Sequence, residues 1–406
     1  MHSIHDFTAK LRQPTLLAHV EKYVLWRRAV GEARLAGRQE PKPPPLAPIS
    51  INLDLTTACN FRCTHCIDWD IHNTAHKHRE AELREAVTVM AERGLRSVIL
   101  IGGGEPTLYP GFAGFVEHLK ALSLQVAIVS NGSRGDRLLT AAQHLDEKDW
   151  IRLSLDSGSN ELFRAMHKPV DKNTNLDTIC AWIPKIKEAN PVVRCGYSYI
   201  ITWSGSSRED NTLHENIHEI VAGAERAKQA GFDYIAFKPV LERQADGAEV
   251  MDPEKAEQGI AEVAARIRRE VDTAKRLVDD RFSVYESINL RVLEEGSWRD
   301  YTRQPRTCHM QALRQVLTPT GLYNCPAHRG VEKAKIGERT TFTGEAAADG
   351  AATQVGAILD RFDASHECRE VTCLYNGVNW WLEKLVQDPN ADVGADPSDE
   401  RNDFFL

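Results

Sequence analysis

The chain has 406 residues, 42% of them apolar, with nine cysteines and a formal net charge of −8. That length leaves room for two or three core units, or one large α/β unit with an appendage. The acidic balance excludes a general nucleic-acid binder, which would carry excess Lys and Arg against phosphates, and no stretch approaches the roughly 18 consecutive apolar residues that span a bilayer. The opening Met-His-Ser-Ile-His-Asp-Phe has no basic-then-apolar signal pattern, so a cytoplasmic location is expected. The odd, clustered cysteines read as metal ligation in a reducing compartment rather than as a disulfide framework.

In chain order, residues 1–46 are predicted to be an N-terminal helical extension. Leu16, Leu17, Val20, Tyr23, Val24 and Trp26 recur at near-helical spacing, and Pro41, Pro43, Pro44 and Pro45 then form a stiff linker. Over 47–240 the pattern changes to short apolar runs alternating with helical stretches. Strands are predicted over 51–55, 97–101, 125–130, 150–155, 192–201 and 234–239, and helices near 78–93, 111–122, 136–145, 173–188 and 213–230. Six strands alternating with helices imply right-handed βαβ units and an α/β fold, a parallel sheet that is open or curled into part of a barrel. Functional groups then belong at the C-terminal ends of the strands. Residues 241–300 are predicted as a linker dominated by a long helix, 301–386 as a differently built unit with the remaining clustered cysteines, and 387–406 as a mobile acidic tail.

Three cysteines, Cys59, Cys63 and Cys66, stand in the run Thr-Thr-Ala-Cys-Asn-Phe-Arg-Cys-Thr-His-Cys, a C-x3-C-x2-C knot at the end of the first predicted strand. A fully protein-bound [4Fe-4S] cluster takes four thiolates, so three leave one iron open for chemistry; structural zinc or three buried thiols are the plain alternatives. The second strand ends in Gly102-Gly103-Gly104-Glu105-Pro106, where glycines let backbone approach a ligand closely. The third ends in Ser130-Asn131-Gly132, and the fourth runs into Ser154, Asp156, Ser157 and Gly158; both segments are also ordinary turn formers. Asp68 and Asp70 follow the knot and Lys238 closes the sixth strand, as weak candidates for substrate binding or catalysis. Cys180 and Cys195 read as buried thiols. Cys308, Cys325, Cys368 and Cys373 form a second set with a β-hairpin predicted between the first two. Four thiolates complete a [4Fe-4S] cluster; a zinc site from the same cysteines, or with His309, His328 or His366, competes.

Together, the knot, the Gly-Gly-Gly-Glu-Pro segment and the six βα units resemble the radical S-adenosylmethionine superfamily. The resemblance covers about residues 51–240, and it implies a partial (β/α)6 barrel. It also implies that the open iron is chelated by the methionine moiety of S-adenosylmethionine, and that one electron from the cluster releases methionine and a 5′-deoxyadenosyl radical. By the same resemblance Gly102, Gly103, Gly104 and Glu105 would hold the methionine amino group, and the backbone at His65 would meet adenine. Ser130, Asn131, Ser154 and Asp156 would hydrogen-bond ribose or carboxylate, and Tyr199 and Ile200 would flank adenine. The second cysteine set resembles the twitch domain, a shortened relative of the SPASM domain, although its last C-x4-C spacing departs from the usual C-x2-C. The resemblance implies a small polar substrate such as a sugar or aminocyclitol, oxidised, dehydrated or epimerised with an auxiliary [4Fe-4S] cluster in electron transfer. A peptide-modifying maturase is the alternative, and a flavodoxin or ferredoxin is the implied low-potential donor.

Overall fold

The structure is a computed structural model and describes residues 6–208, 211–244, 247–394 and 402–406. The helix α1 (Pro14–Leu35) is followed by an extended proline-rich stretch and β1 (Ser50–Leu53). Five more strands then alternate with helices: β2 (Ser97–Leu100), β3 (Gln125–Ser130), β4 (Trp150–Ser154), β5 (Arg194–Ile201) and β6 (Tyr234–Pro239). The intervening helices are α2 (Glu80–Glu92), α3 (Phe112–Ala121), α4 (Gly135–Ala142), α5 (Asn160–His167), α6 (Trp182–Ala189) and α7 (Ile220–Ala230). All six predicted strands form, and every neighbouring pair among them is parallel.

Period-2 alternation sorts the side chains between two environments. In β4, Ile151 and Leu153 are each 1% exposed, buried beneath the helices, while Trp150, Arg152 and Ser154 face the lumen and keep some accessible surface. In β6, Ile235 and Phe237 are fully buried and Ala236 and Lys238 face the lumen. The outer layer is therefore a continuous apolar core, and the inner face mixes Arg152, Ser154 and Lys238 with apolar residues such as Ile99 and Ile200 and is partly open, as a ligand chamber needs.

The boundaries differ from the sequence reading in three places. The stretch 241–300, expected to be a helical linker, has the long helix α8 (Ile260–Lys275) but also β7 (Ser283–Glu286), a seventh parallel strand beside β6. The cysteine-bearing unit is joined to the barrel, because β8 (Arg314–Thr318) pairs in parallel with the free side of β1. Its hairpin partner β9 (Gly321–Tyr323) and β10 (Lys335–Gly337) continue the sheet antiparallel, giving the order β7-β6-β5-β4-β3-β2-β1-β8-β9-β10. The expected mobile tail is the third correction. Residues 395–401 lie outside the described residues, but 402–406 are bound under the lumen. Phe405 stacks edge-on against Trp150 at 5.5 Å and packs with Ile99, Ala127 and Val129. The Phe404 carbonyl accepts from Ser97 Oγ at 2.7 Å, and Lys10 pairs with Asp403 at 2.8 Å. A Phe-Phe-Leu ending is apolar enough to leave water once a floor of this kind is offered.

Helix α1 packs on α11 (Asn376–Gln387), and Tyr23 hydrogen-bonds His309 at 2.7 Å, so the N-terminal extension holds the cysteine-bearing unit. Helix α9 (Ile288–Glu295) follows β7, and α10 (Glu345–Arg361) covers β10.

Candidate active site

Cys59, Cys63 and Cys66 sit in the loop after β1, at the C-terminal ends of the strands. The three sulfurs converge: Cys63 has both Cys59 and Cys66 among its charged neighbours, Cys66 has Cys59, and burial raises all three pKa values. His167, at the end of α5, places Nδ1 3.2 Å from Cys63 Sγ, and His72 places Nε2 3.3 Å from Cys66 Sγ. Asp156 organises the neighbourhood from the end of β4, in a left-handed backbone conformation with φ of 50°. Its carboxylate accepts from Ile200 N at 2.6 Å and from His65 Nε2 at 3.0 Å, with His167 Nε2 at 3.3 Å. Burial alone would raise its pKa, but the hydrogen bonds from His167 and His65 outweigh that and hold it well below the usual carboxylate range.

The glycine run behaves as its composition demands. Gly102 and Gly103 have φ of 73° and 64°, and a Cβ on Gly104 would overlap the Ala58 carbonyl. Glu105 is buried and its carboxylate is fully occupied: Thr107 N (3.0 Å), Thr107 Oγ1 (2.6 Å) and Ser130 Oγ (2.7 Å) donate to Oε1, and Asn131 N (2.7 Å) donates to Oε2. Glu105, Ser130 and Asp156 therefore use their polar atoms on this chain's own groups and act as supports. Among the expected ligand groups, His65, Asn131, Ser154 and Asp156 line the cavity below the knot, with Ile200. Tyr199 instead points into the core and donates to the Asn216 carbonyl at 2.7 Å. Its exclusion follows from strand alternation, since Ile200 is the lumen-facing neighbour.

Asp68 and Asp70, expected to be free for substrate, are ion-paired. Asp68 accepts from Arg329 at 2.7 Å and from Gly103 N at 3.2 Å, and Asp70 pairs with Arg243 at 3.0 Å. Asp68 ties the cysteine loop to the C-terminal unit, and Asp70 ties it to Arg243, which itself donates to the Arg329 carbonyl at 3.0 Å. Asp54 shares Arg329 at 3.5 Å, and burial pushes its pKa up to about 8.

The chain matches the family model "Radical SAM superfamily" over residues 53–215. Residues 53–215 form a radical SAM domain. An S-adenosylmethionine-dependent nucleotide dehydratase from a Thermoplasmatales archaeon (strain ISO4-H5) is 36% identical over 111 residues, 27% of this chain and 38% of that protein. A GTP 3′,8-cyclase of Chlorobaculum tepidum is 32% identical over 118 residues, 29% of this chain and 35% of that one. The chain thus spans little more than a third of the length of these two relatives. A second nucleotide dehydratase, from Selenomonas ruminantium, is 23% identical over 271 residues, covering 60% of this chain and 91% of that protein. Streptococcus suis SuiB bound to S-adenosylmethionine shares the fold with a TM-score of 0.54 and 13% identity, over 80% of this chain and 71% of that one.

A radical SAM domain uses a [4Fe-4S] cluster and S-adenosylmethionine, and the residues present fit both. Among the described residues the only His, Cys, Asp or Glu group whose ligand atoms all lie within 4.8 Å of one another is His65, Asp156 and His167. The knot sulfurs are therefore spread wider than a single zinc would hold them, since Zn–S bonds of about 2.3 Å put sulfurs about 3.8 Å apart. They suit a larger group. For S-adenosylmethionine, the sign is His65: its Nε2 faces the Asp156 carboxylate, and its Nδ1 is buried with no partner beside the cavity. Cys59, Cys63 and Cys66 would hold the cluster, with His65, the Gly102–Gly104 backbone, Asn131 and Ser154 around the cofactor.

The second set also assembles. Cys308, Cys325, Cys368 and Cys373 line one small cavity with Arg314, His328 and Tyr375. The same spacing argument disfavours zinc. His309 is turned away to Tyr23 and Glu383, and His366 is exposed beside Glu367, so neither joins the set; His328 Nε2 lies 3.5 Å from Cys368 Sγ. Between the sets lies a cavity of about 520 Å³, bounded by Cys63 and Cys66 at one end and by Pro326, Leu374 and Tyr375 at the other. His72, Arg152, His167 and Arg329 escaped the sequence reading. Only Arg152 left a trace, as a charge in an otherwise apolar strand.

Proposed function

We propose that this radical SAM enzyme abstracts hydrogen from a small polar substrate, of sugar or aminocyclitol type, lodged in the cavity between the two cysteine sets. The cavity carries the reading: it is bordered by the three-cysteine knot on one side and, through Pro326 next to Cys325 and Leu374 next to Cys373, by the second set on the other. When bound, the first cluster supplies one electron to S-adenosylmethionine, giving methionine and a 5′-deoxyadenosyl radical that takes a hydrogen atom. The chain's own contribution is placement and exclusion of water. Glu105 and Asp156 fix the loops that surround the cofactor, and Trp150 with Phe405 closes the lumen from below. The four-cysteine set would hold an auxiliary [4Fe-4S] cluster able to accept one electron from the substrate radical as it loses a proton in a dehydrogenation, or to give one electron as the radical takes up a proton in a dehydration or epimerisation. A flavodoxin or ferredoxin would be the donor. The nucleotide dehydratase and cyclase relatives are small-molecule enzymes by name, while mycofactocin maturases match over a similar length, so the cavity and not the relatives carries this reading.

The test is anaerobic reconstitution with a low-potential reductant. Slow conversion of S-adenosylmethionine to methionine and 5′-deoxyadenosine is expected, rising several-fold with small polar metabolites and not with peptides. Stimulation by peptides alone would replace the substrate assignment with that of a maturase.

A further inference from the structure

Arg152 and Lys238 are cations in the lumen without a carboxylate of their own. Both line the main cavity and a second one of about 360 Å³ beneath it. The Arg152 guanidinium lies 4.9 Å from the Trp150 ring centroid, and its buried Nε has no hydrogen-bond partner. Lys238 has two charged neighbours, Arg152 and Asp156, and the Asp156 carboxylate is already taken by Ile200, His65 and His167. The other acid on the main cavity's wall, Glu249, sits among Arg329, Asp68, Arg243 and Arg314; on the second cavity Asp149, Glu286 and Asp403 are paired with Lys120, Lys275 and Lys10, and Glu147 is exposed. Of the other arginines near the site, Arg329 is paired with Asp68 and Arg243 with Asp70, and Arg314 donates to the Asn52 side chain at 2.8 Å and has Glu249 as a charged neighbour.

Two buried cations that share a void and repel one another are costly unless an anion joins them or Lys238 gives up its proton. Burial first, and Arg152 second, push the Lys238 pKa well down. Position adds to charge. Arg152 lies two residues below Ser154 on β4, about 7 Å deeper in the barrel at the usual rise of a strand. A charged group held there leaves the rest of a bound molecule extending up toward Cys63 and Cys66.

We infer that Arg152 and Lys238 form an anion subsite, which seats a phosphate or carboxylate group of the substrate at the base of the lumen. The inference rests on the small-molecule reading above. Arg152 offers a planar fork suited to two oxygens of one anion, and Lys238 a point charge across from it. The anchored end is thereby remote from the knot, and the carbon to be attacked is held toward it.

Titration calorimetry on the reconstituted holoenzyme with S-adenosylmethionine tests this. The probes are inorganic pyrophosphate, glucuronate, glucose and an acidic hexapeptide. Pyrophosphate or glucuronate should bind and glucose should not, and which of the two binds more tightly identifies phosphate or carboxylate as the natural group. Arg152→Gln and Lys238→Met should each weaken that binding about tenfold, the scale of one hydrogen bond to a charged group. The exposed Lys172→Gln should leave it unchanged. Iron content and Tm report whether the variants are intact; should Arg152→Gln not fold, Arg152→Lys must weaken pyrophosphate binding by a smaller factor. Equal binding by wild type and variants, or charged probes binding no better than glucose, overturns the subsite. Binding of the hexapeptide alone, dependent on Arg152 and Lys238, keeps the subsite and overturns the small-molecule reading. Failure of every anion while neutral metabolites stimulate 5′-deoxyadenosine release does the reverse.

Discussion

His167 Nδ1 lies 3.2 Å from Cys63 Sγ, while its Nε2 faces the Leu155 carbonyl at 3.1 Å and Asp156 at 3.3 Å. The ring thus connects a sulfur of the knot to a buried carboxylate. Nε2 faces two acceptors and so carries a hydrogen; once ligation removes the Cys63 proton, an N–H on Nδ1 as well makes the ring an imidazolium held between the thiolate and the Asp156 carboxylate. Hydrogen bonds to cluster sulfurs raise the reduction potential.

His167→Phe should therefore lower the potential of the knot cluster, by on the order of 50 mV if the lost bond is worth about 1.5 kcal/mol to the reduced state. Reductive titration followed by electron paramagnetic resonance reads the shift directly. An unchanged potential with full iron content would show that the ring only packs.

The acidic pair at Arg329 predicts a pH effect on stability. Asp68 holds the short ion pair at 2.7 Å, which leaves Asp54 at 3.5 Å with both oxygens buried and unpartnered. Burial raises the folded pKa of Asp54 to about 8, while an unfolded chain has about 3.9. Between these values the folded state holds the extra proton, so this contribution is complete below about pH 4 and is lost as pH rises toward 8. Wild-type protein should lose Tm between pH 5 and pH 8, and Asp54→Asn, neutral at both, should lose less. Equal slopes in thermal scans would rule Asp54 out as the cause.

Much of this arrangement was legible in the chain because it is local. The knot, the glycine run and the six strands are each written within a dozen residues, where spacing and alternation speak directly. Residues that act across the fold left no such trace. Arg329 reaches Asp68 over 261 residues of sequence, and His167 reaches Cys63 over 104. The joining of β8 to β1 is equally silent: Gln-Val-Leu-Thr reads as a hairpin strand, and nothing in it says that its other edge meets Ser50–Leu53. The docking of the tail is hidden for a different reason. Its acidic, proline-containing composition outweighed the last three residues, yet Phe405 alone finds an aromatic partner and an apolar floor.

Glu105 offers the sharpest distinction between supporting and contacting the cofactor. Oε1 accepts three hydrogen bonds and Oε2 accepts the Asn131 N–H, so the side chain ties the end of β2 to the end of β3. Glu105→Gln preserves shape but must present an NH2 to one of these donors. With the amide oxygen in the Oε1 position, two N–H groups face each other at Asn131, a buried mismatch worth about 1–3 kcal/mol. The burial that raises the Glu105 pKa penalises the charge, but the four donors need acceptors in either ionisation state. We expect a lower Tm, weaker S-adenosylmethionine binding and normal iron content, because the defect lies at the strand ends and not at the sulfurs. Glu105→Asp, which keeps both acceptors on a shorter stem, should recover part of the Tm. A variant that binds S-adenosylmethionine as wild type does, at unchanged Tm, would show that the β2–β3 clamp is dispensable.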